Sequence, residues 1–146
     1  MEFDSTEIQK VLPHRYPFLM VDRITECEPG VSATGIKCVS ANEMHFMGHF
    51  PEHPVMPGVL VIEAIAQVAA FALLCQEGNK GKIAFFGGIK NARFKNQVKP
   101  GDVLEISVKI NETVGAIGLA SGEAKVGGKL AAKADVSFSF ADNKID

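Results

Sequence analysis

The chain has 146 residues, 47% of them hydrophobic, and a formal net charge of −2. This length predicts a single domain over residues 1–146 that buries a substantial core. The nearly balanced charge argues against nucleic acid as a general partner and against a polybasic membrane anchor.

The cysteines and the N-terminal residues indicate the cellular compartment in which the protein is expected to work. Cys27, Cys38 and Cys75 are an odd number without CxxC spacing. This predicts reduced, buried thiols in a cytosolic protein rather than a disulfide framework. The first residues are acidic and lack the basic and apolar regions of a signal peptide, which also favours a cytoplasmic location.

Local signals divide the first 39 residues into a helix and a strand pair. Capping residues predict a short helix from Asp4 to Leu12 that stops at Pro13. Residues 18–28 and 31–39 are predicted strands, with Pro29-Gly30 as the turn between them.

An ordered loop with three prolines is predicted over residues 42–57, followed by a long apolar helix over 58–77. Gly78-Asn79 is the predicted stop of that helix. The helix is nearly long enough to span a membrane, but Glu63 and Gln67 near its middle favour a buried helix in a core.

Four strands are predicted after the helix. Residues 83–95 form the least regular of them, whereas 104–110 and 130–140 alternate apolar and polar side chains. Small residues alternate over 116–124, a face that lets another element approach closely. Gly127-Gly128 predicts a hairpin. The chain is therefore predicted to be α+β, with an antiparallel sheet of about six strands wrapped around one long helix.

The start of the long helix is a candidate anion site. The first N–H groups after Pro57 lack partners within the helix, and Gly58 lets a carbonyl group come close. An ordinary Pro-Gly helix start explains the same residues. His49 lies nine residues before Gly58 on a proline-stiffened path, and its imidazole suits a general base near neutral pH.

Glu63 is the polar residue in this apolar helix that most demands an explanation. Burial raises the pKa of a carboxyl group, so Glu63 could stay protonated and act as an acid. It could instead be a structural residue satisfied by Gln67, four positions along the same face. The presence of His49 favours the catalytic interpretation.

Two further patterns have competing explanations. His45, His49 and His53 are spaced by four, but the prolines between them forbid one helix and no accompanying ligand motif exists, so no metal site is predicted. Residues 78–101 carry six basic and no acidic side chains. They form either a solvated strand face or a surface for an acidic partner.

Three segments resemble the (3R)-hydroxyacyl-acyl carrier protein dehydratases of the FabZ type. The first is His49-Phe-Pro-x-x-Pro-x-x-Pro-Gly-Val-Leu-x-x-Glu63-Ala-x-Ala-Gln67. The others are Leu12 to Arg23 and Ala92 to Asp102. Asn96-Gln97 departs from the pattern, since many members have a proline before the valine.

The resemblance implies a hot-dog fold and a homodimer, often extended to a trimer of dimers, with each site shared between His49 of one subunit and Glu63 of the other. It implies water elimination from a 3-hydroxyacyl thioester in type II fatty acid biosynthesis, with the Gly58 N–H binding the thioester carbonyl. No metal or organic cofactor is implied, because the substrate arrives on the phosphopantetheine of acyl carrier protein. Neither nucleic acid nor a membrane is an implied partner.

The resemblance also suggests roles for less distinctive residues. Phe50, Phe85, Phe86 and Ile89 are candidates for binding the substrate's acyl chain. The candidate docking surface for the acidic carrier protein consists of Lys90, Arg93, Lys95 and Lys99. A thioesterase, an isomerising dehydratase of the decanoyl type, which has Asp where this chain has Glu63, and a non-catalytic carrier-binding domain remain alternative functions.

Overall fold

The computed structural model describes residues 1–142. The predicted domain of 1–146 therefore includes four residues that lie outside the described part. The elements, in chain order, are helix α1 (Ser5–Gln9), strands β1 (Arg23–Glu28) and β2 (Ser32–Cys38), a 3-10 helix (Met44–Met47), helix α2 (Gly58–Leu74), and strands β3 (Ile83–Phe94), β4 (Val103–Val114), β5 (Ile117–Val126) and β6 (Lys129–Ala141).

All six strands belong to one antiparallel sheet. Their order is β1-β2-β4-β5-β6-β3, so β1 and β3 form its edges. Gly127 and Gly128 form the predicted hairpin between β5 and β6, and both have positive φ, as a two-residue hairpin turn requires. The α+β prediction of one long helix against an antiparallel sheet is confirmed.

Helix α2 is the centre of the core. Thirteen of its 17 residues are buried, which is why its sequence is apolar on every side. Glycines on the sheet let the helix approach closely: a Cβ on Gly35 would lie 2.8 Å from Val68 Cγ2, and one on Gly122 would lie 2.4 Å from Ile65 Cγ2. The small face predicted on residues 116–124 therefore packs against this helix.

Helix α1 and strand β1 are both shorter than the sequence predicts. Helix α1 ends at Gln9 rather than Leu12, and β1 begins at Arg23 rather than at residue 18. Side-chain hydrogen bonds from Arg15 and from Gln67 of α2 explain both differences. The Arg15 guanidinium donates to the Gln9 and Leu12 carbonyl oxygens, and the Phe18 carbonyl accepts from the Gln67 side chain instead of from a neighbouring strand.

Helix α2 also ends early, at Leu74 instead of residue 77, so Gly78-Asn79 is not its immediate stop. The Ala72 carbonyl oxygen, which would accept the next helical hydrogen bond, accepts from the Gly30 N–H at 2.8 Å. The turn between β1 and β2 thus terminates the helix. The predicted loop over 42–57 contains one short 3-10 turn, and this turn ends before the first proline.

Strand β3 is irregular, as predicted. Its pairing with β6 shifts between Phe86 and Gly88 and again between Lys90 and Arg93, where Asn91 has a φ of 54°. The prediction of buried thiols is wrong for Cys38, which is exposed because it ends a strand with its side chain on the solvent face.

Candidate active site

His49 is held in one orientation by the loop that precedes α2. Its Nδ1 lies 2.7 Å from the Val55 carbonyl oxygen, and its ring stacks on Phe50 at a centroid distance of 4.1 Å. Because a carbonyl oxygen only accepts hydrogen bonds, Nδ1 carries the hydrogen in the neutral ring. The lone pair of Nε2 is then the one available to take a proton.

Gly58 starts helix α2 with amide groups that no side chain caps. The N–H groups of Leu60 and Val61 donate to the Pro57 carbonyl, and Pro57 supplies no capping side chain. The earlier N–H groups, at the positive end of the helix dipole, can therefore bind an oxyanion. A Cβ on Gly58 would lie 2.7 Å from a carbon of the Phe94 ring, so only glycine fits beneath that ring.

Glu63 lies one and a half turns further along α2, half-buried beside Gln67. The Gln67 Nε2 donates to the Glu63 carboxylate at 3.1 Å and to the Phe18 carbonyl oxygen at 2.8 Å, while Gln67 Oε1 accepts from the Met20 N–H at 2.7 Å. Desolvation by burial raises the pKa of Glu63, and the hydrogen bond from Gln67 opposes that rise. Burial is the larger of the two effects, so the pKa of Glu63 lies above that of an ordinary carboxyl group.

His14 is a site residue that the sequence reasoning did not single out. Its Nε2 lies 3.8 Å from the Glu63 carboxylate, and its Nδ1 is buried without a hydrogen-bond partner among residues 1–142. Burial lowers the pKa of His14, with a further contribution from Arg15. Burial therefore lowers the pKa of His14 and raises the pKa of Glu63, which weakens the tendency of the two side chains to form an ion pair. The sequence feature that could have identified His14 is its position between Pro13 and Pro17, within the segment Leu12 to Arg23 that resembles the dehydratase family.

Two different cavities lie beside the candidate site residues of one chain, one next to Gly58 and one next to Glu63. Gly58 and Val55 line a cavity of about 310 Å³ together with Phe94. A second cavity, of about 30 Å³, contains Glu63, His14 and Phe86 and has room for about one water molecule. Within residues 1–142, no hydrogen bond or ion pair joins His49 to Glu63.

Phe86 is the one acyl-binding candidate that lines the Glu63 cavity. It also stacks on Phe138 at 5.9 Å. Phe85 and Ile89 are 54% and 48% exposed on edge strand β3, and Phe50 is 49% exposed beside His49. These three apolar side chains are open to a partner or a substrate, but one chain does not bring them into the Glu63 cavity.

The structure also shows where the candidate carrier-docking cations and His53 lie. Lys90, Arg93, Lys95 and Lys99 are all exposed, on β3 and just after it. The Nε2 of His53 lies 3.2 Å from the Gln97 side-chain oxygen. Over the described residues, no group of three or more His, Cys, Asp or Glu side chains could hold a metal ion, and no helix is long and apolar enough to cross a membrane.

Comparison with solved structures shows the fold. The dehydratase heterocomplex ApeI:P from Xenorhabdus doucetiae aligns with a TM-score of 0.79 at 16% identity, covering 93% of this chain and 91% of that one. Cj0977, a virulence protein from Campylobacter jejuni, aligns with a TM-score of 0.71 at 17% identity, covering 95% and 98%. The predicted hot-dog fold is confirmed by these likenesses and the family match below.

Comparison of sequences shows the family. The FabA-like domain family matches residues 12–135. The 3-hydroxyacyl-acyl-carrier-protein dehydratase FabZ of Bacillus velezensis is 56% identical over 139 residues, which cover 95% of this chain and 99% of that protein. The FabZ of Clostridium botulinum strain Kyoto is 57% identical over 135 residues, covering 92% and 94%. This chain therefore belongs to the FabA-like domain family and, within it, to the FabZ-type 3-hydroxyacyl-acyl-carrier-protein dehydratases.

Proposed function

We propose that this protein removes water from (3R)-3-hydroxyacyl-acyl carrier protein to give the trans-2-enoyl form, a step of type II fatty acid biosynthesis, with His49 as base and Glu63 as acid. The observation that carries the assignment of roles is the contrast between His49, whose ring is oriented by a hydrogen bond, and Glu63, whose carboxyl group is buried. The Val55 carbonyl oxygen engages Nδ1 of His49 and leaves Nε2 for the base role, and burial raises the pKa of Glu63, which favours its role as the acid. Membership of the dehydratase family supports the reaction itself.

The first half of the reaction takes place at His49 and Gly58. His49 Nε2 removes the proton from C2 of the acyl chain, while the Val55 carbonyl oxygen holds the ring in the required tautomer. Negative charge develops on the thioester oxygen as that proton leaves. The uncapped N–H groups at the start of α2 stabilise this charge, with Gly58 allowing the oxygen to approach the backbone.

Glu63 completes the elimination at C3. The hydroxyl group leaves with the proton of the Glu63 carboxyl group, directly or through one water in the small cavity beside it. Gln67 orients that carboxyl group by its hydrogen bond at 3.1 Å. The elimination breaks the C2–H and C3–O bonds and forms the C2–C3 double bond with no electron acceptor, so the proposal includes no metal or organic cofactor.

We place the two halves of each site on different subunits of a homodimer. Support comes from two observations: within residues 1–142 no hydrogen bond, ion pair or shared cavity joins His49 to Glu63, and β3 is a 12-residue edge strand with exposed apolar side chains such as Phe85 and Ile89. Unpaired apolar edges of this length are typical pairing surfaces. A further assembly into a trimer of dimers is part of the proposal by analogy with the family.

The substrate's carrier is the proposed protein partner. The exposed cations Lys90, Arg93, Lys95 and Lys99 suit an acidic carrier protein, whose phosphopantetheine arm delivers the thioester. We propose neither nucleic acid nor a membrane as a partner, and we propose a cytoplasmic location because the family works in fatty acid biosynthesis.

Phe86 is proposed to contact the acyl chain next to Glu63, with Phe85, Ile89 and Phe50 on the rest of its path. Phe86→Ala should shift the preference for acyl chain length. Unchanged relative rates on short and long substrates would remove Phe86 from the substrate site.

The test of function is turnover of 3-hydroxybutyryl-carrier protein followed by mass spectrometry of the intact carrier. We expect interconversion with the crotonyl form in wild type and its loss in His49→Ala and Glu63→Gln. Release of free acid would indicate a thioesterase, and a 3-enoyl product from a decanoyl substrate would indicate an isomerising dehydratase. A folded protein without turnover would be a binding domain.

A further inference from the structure

Two thiols outside the proposed active site lie against each other. Cys27 is in β1 and Cys75 caps the C-terminus of α2, 48 residues later, yet their sulfur atoms are only 3.6 Å apart. Both side chains are half-buried, so a small reagent can reach them. Cys38, the remaining cysteine, is exposed and lies away from this pair.

The backbone fixes the two elements that carry these thiols. The Gly30 N–H in the turn after β1 donates to the Ala72 carbonyl oxygen at 2.8 Å, and the Cys75 N–H donates to the Phe71 carbonyl oxygen at 2.9 Å. The thiols therefore stay neighbours whenever the chain is folded. A disulfide requires the sulfurs to come about 1.5 Å closer, a distance that side-chain rotation can supply.

We propose that Cys27 and Cys75 are an oxidation site at which a peroxide forms an intramolecular disulfide. Cys75 reacts first: its thiolate attacks one peroxide oxygen, the O–O bond breaks, and the departing hydroxide takes a proton to become water. The Cys27 thiol then loses its proton and attacks the sulfur of the resulting sulfenic acid: the S–S bond forms, the S–O bond breaks, and the departing hydroxide takes up a proton as a second water. Both sulfurs are oxidised and the peroxide is reduced.

The order of the two steps follows from the hydrogen bond between the thiols. That bond lowers the pKa of Cys75 and raises the pKa of Cys27, so Cys75 holds more thiolate character. Thiolates, not thiols, attack peroxides.

The disulfide would enclose residues 27–75, a segment that contains His49, Gly58 and Glu63. Cross-linking a loop of this length restricts the unfolded chain and stabilises the folded one. We expect the oxidised protein to melt roughly 5–10 °C higher than the reduced protein. The proposal concerns the fold and does not depend on the proposed reaction.

The experiment treats the reduced full chain with hydrogen peroxide, blocks remaining thiols and maps peptides without reduction. Trypsin and chymotrypsin are used together, because cleavage after Phe46 separates Cys38 from Cys75. We expect a Cys27–Cys75 peptide pair two hydrogens lighter than its parts and a higher melting temperature, both reversed by dithiothreitol. Cys38→Ser should behave identically, whereas Cys27→Ser and Cys75→Ser should show neither change.

Three results would overturn the proposal, and the wild-type map alone can give each of them. These are Cys27 and Cys75 both blocked as free thiols after exposure, either one recovered as a sulfinic acid without a disulfide, or disulfides that join Cys27 or Cys75 to Cys38 or to another chain in place of the Cys27–Cys75 bond. A confirmed Cys27–Cys75 bond with an unchanged melting temperature would overturn the stabilising role.

Discussion

Glu63 shows how one residue's surroundings set its chemistry. Burial favours its neutral form, so ionising the side chain costs stability in the folded protein. The stability that protonated Glu63 contributes is complete below the ordinary carboxyl pKa of 4.5 and is lost as pH rises through the higher folded value.

Glu63→Gln removes that titration while keeping the shape of the side chain. We expect the variant to melt higher than wild type at pH 7, and the difference to shrink as pH falls below 4.5. Thermal melts from pH 3.5 to 8 measure this. An equal difference at every pH would show that Glu63 has an ordinary pKa.

Gln67 supports Glu63 and the backbone of the segment before β1. Gln67→Leu leaves the Met20 N–H buried without a partner and should destabilise the fold by about 1–3 kcal/mol in urea unfolding. The matched control is Gln97→Leu, which changes an exposed glutamine and should stay within about 0.5 kcal/mol of wild type. Equal effects of the two variants would contradict the role assigned to Gln67.

His49 and His53 provide a paired test in the same loop. His49→Ala removes the proposed base and should lower kcat by roughly 10²–10⁴-fold. His53 is exposed, and its ring contacts the Gln97 side chain while its backbone pairs with Phe50 through bonds that alanine keeps, so His53→Ala should retain nearly full kcat. Circular dichroism checks that both variants fold. If the two substitutions lower kcat equally, the assignment of the base is wrong.

At the scale of elements, the sheet depends on small residues where it touches α2. Gly122→Ala places a methyl group against Ile65 and Val108 and should cost about 1–3 kcal/mol of stability. Gly48→Ala is the control, because a Cβ there meets nothing within 4 Å and its φ is −116°. Urea midpoints measure both. A tolerated Gly122→Ala would mean that the helix and sheet can separate without cost.

The same elements show what sequence patterns could and could not predict. The alternating small residues of 116–124 and the apolar helix were visible because their periodicity is local. The ends of α1, α2 and β1 were not, because distant groups compete for their hydrogen bonds, as Gly30 does for the Ala72 carbonyl oxygen. His14 was missed for a related reason, since only folding brings it within 3.8 Å of Glu63.

For the whole molecule, the residue pattern predicted an antiparallel sheet wrapped around one helix, because a helix that is apolar on every side has to be buried. The family resemblance identified this arrangement as the hot-dog fold. The sequence could predict which residues belong to the candidate site, but not where those residues lie relative to each other. His49 and Glu63 are 14 positions apart in sequence, and in the described part of the chain no hydrogen bond, ion pair or shared cavity joins them. The proposed solution is a site completed by the second subunit.

The most direct test mixes two inactive proteins. His49→Ala and Glu63→Gln subunits are unfolded together, refolded at equal amounts and assayed for dehydration of 3-hydroxybutyryl-carrier protein. A mixed dimer with sites shared between subunits holds one intact site, since its remaining His49 and Glu63 meet there. Random pairing then restores about a quarter of wild-type activity. Activity that stays at the level of the separate variants, with mixed dimers confirmed by mass spectrometry, would contradict the shared His49–Glu63 site.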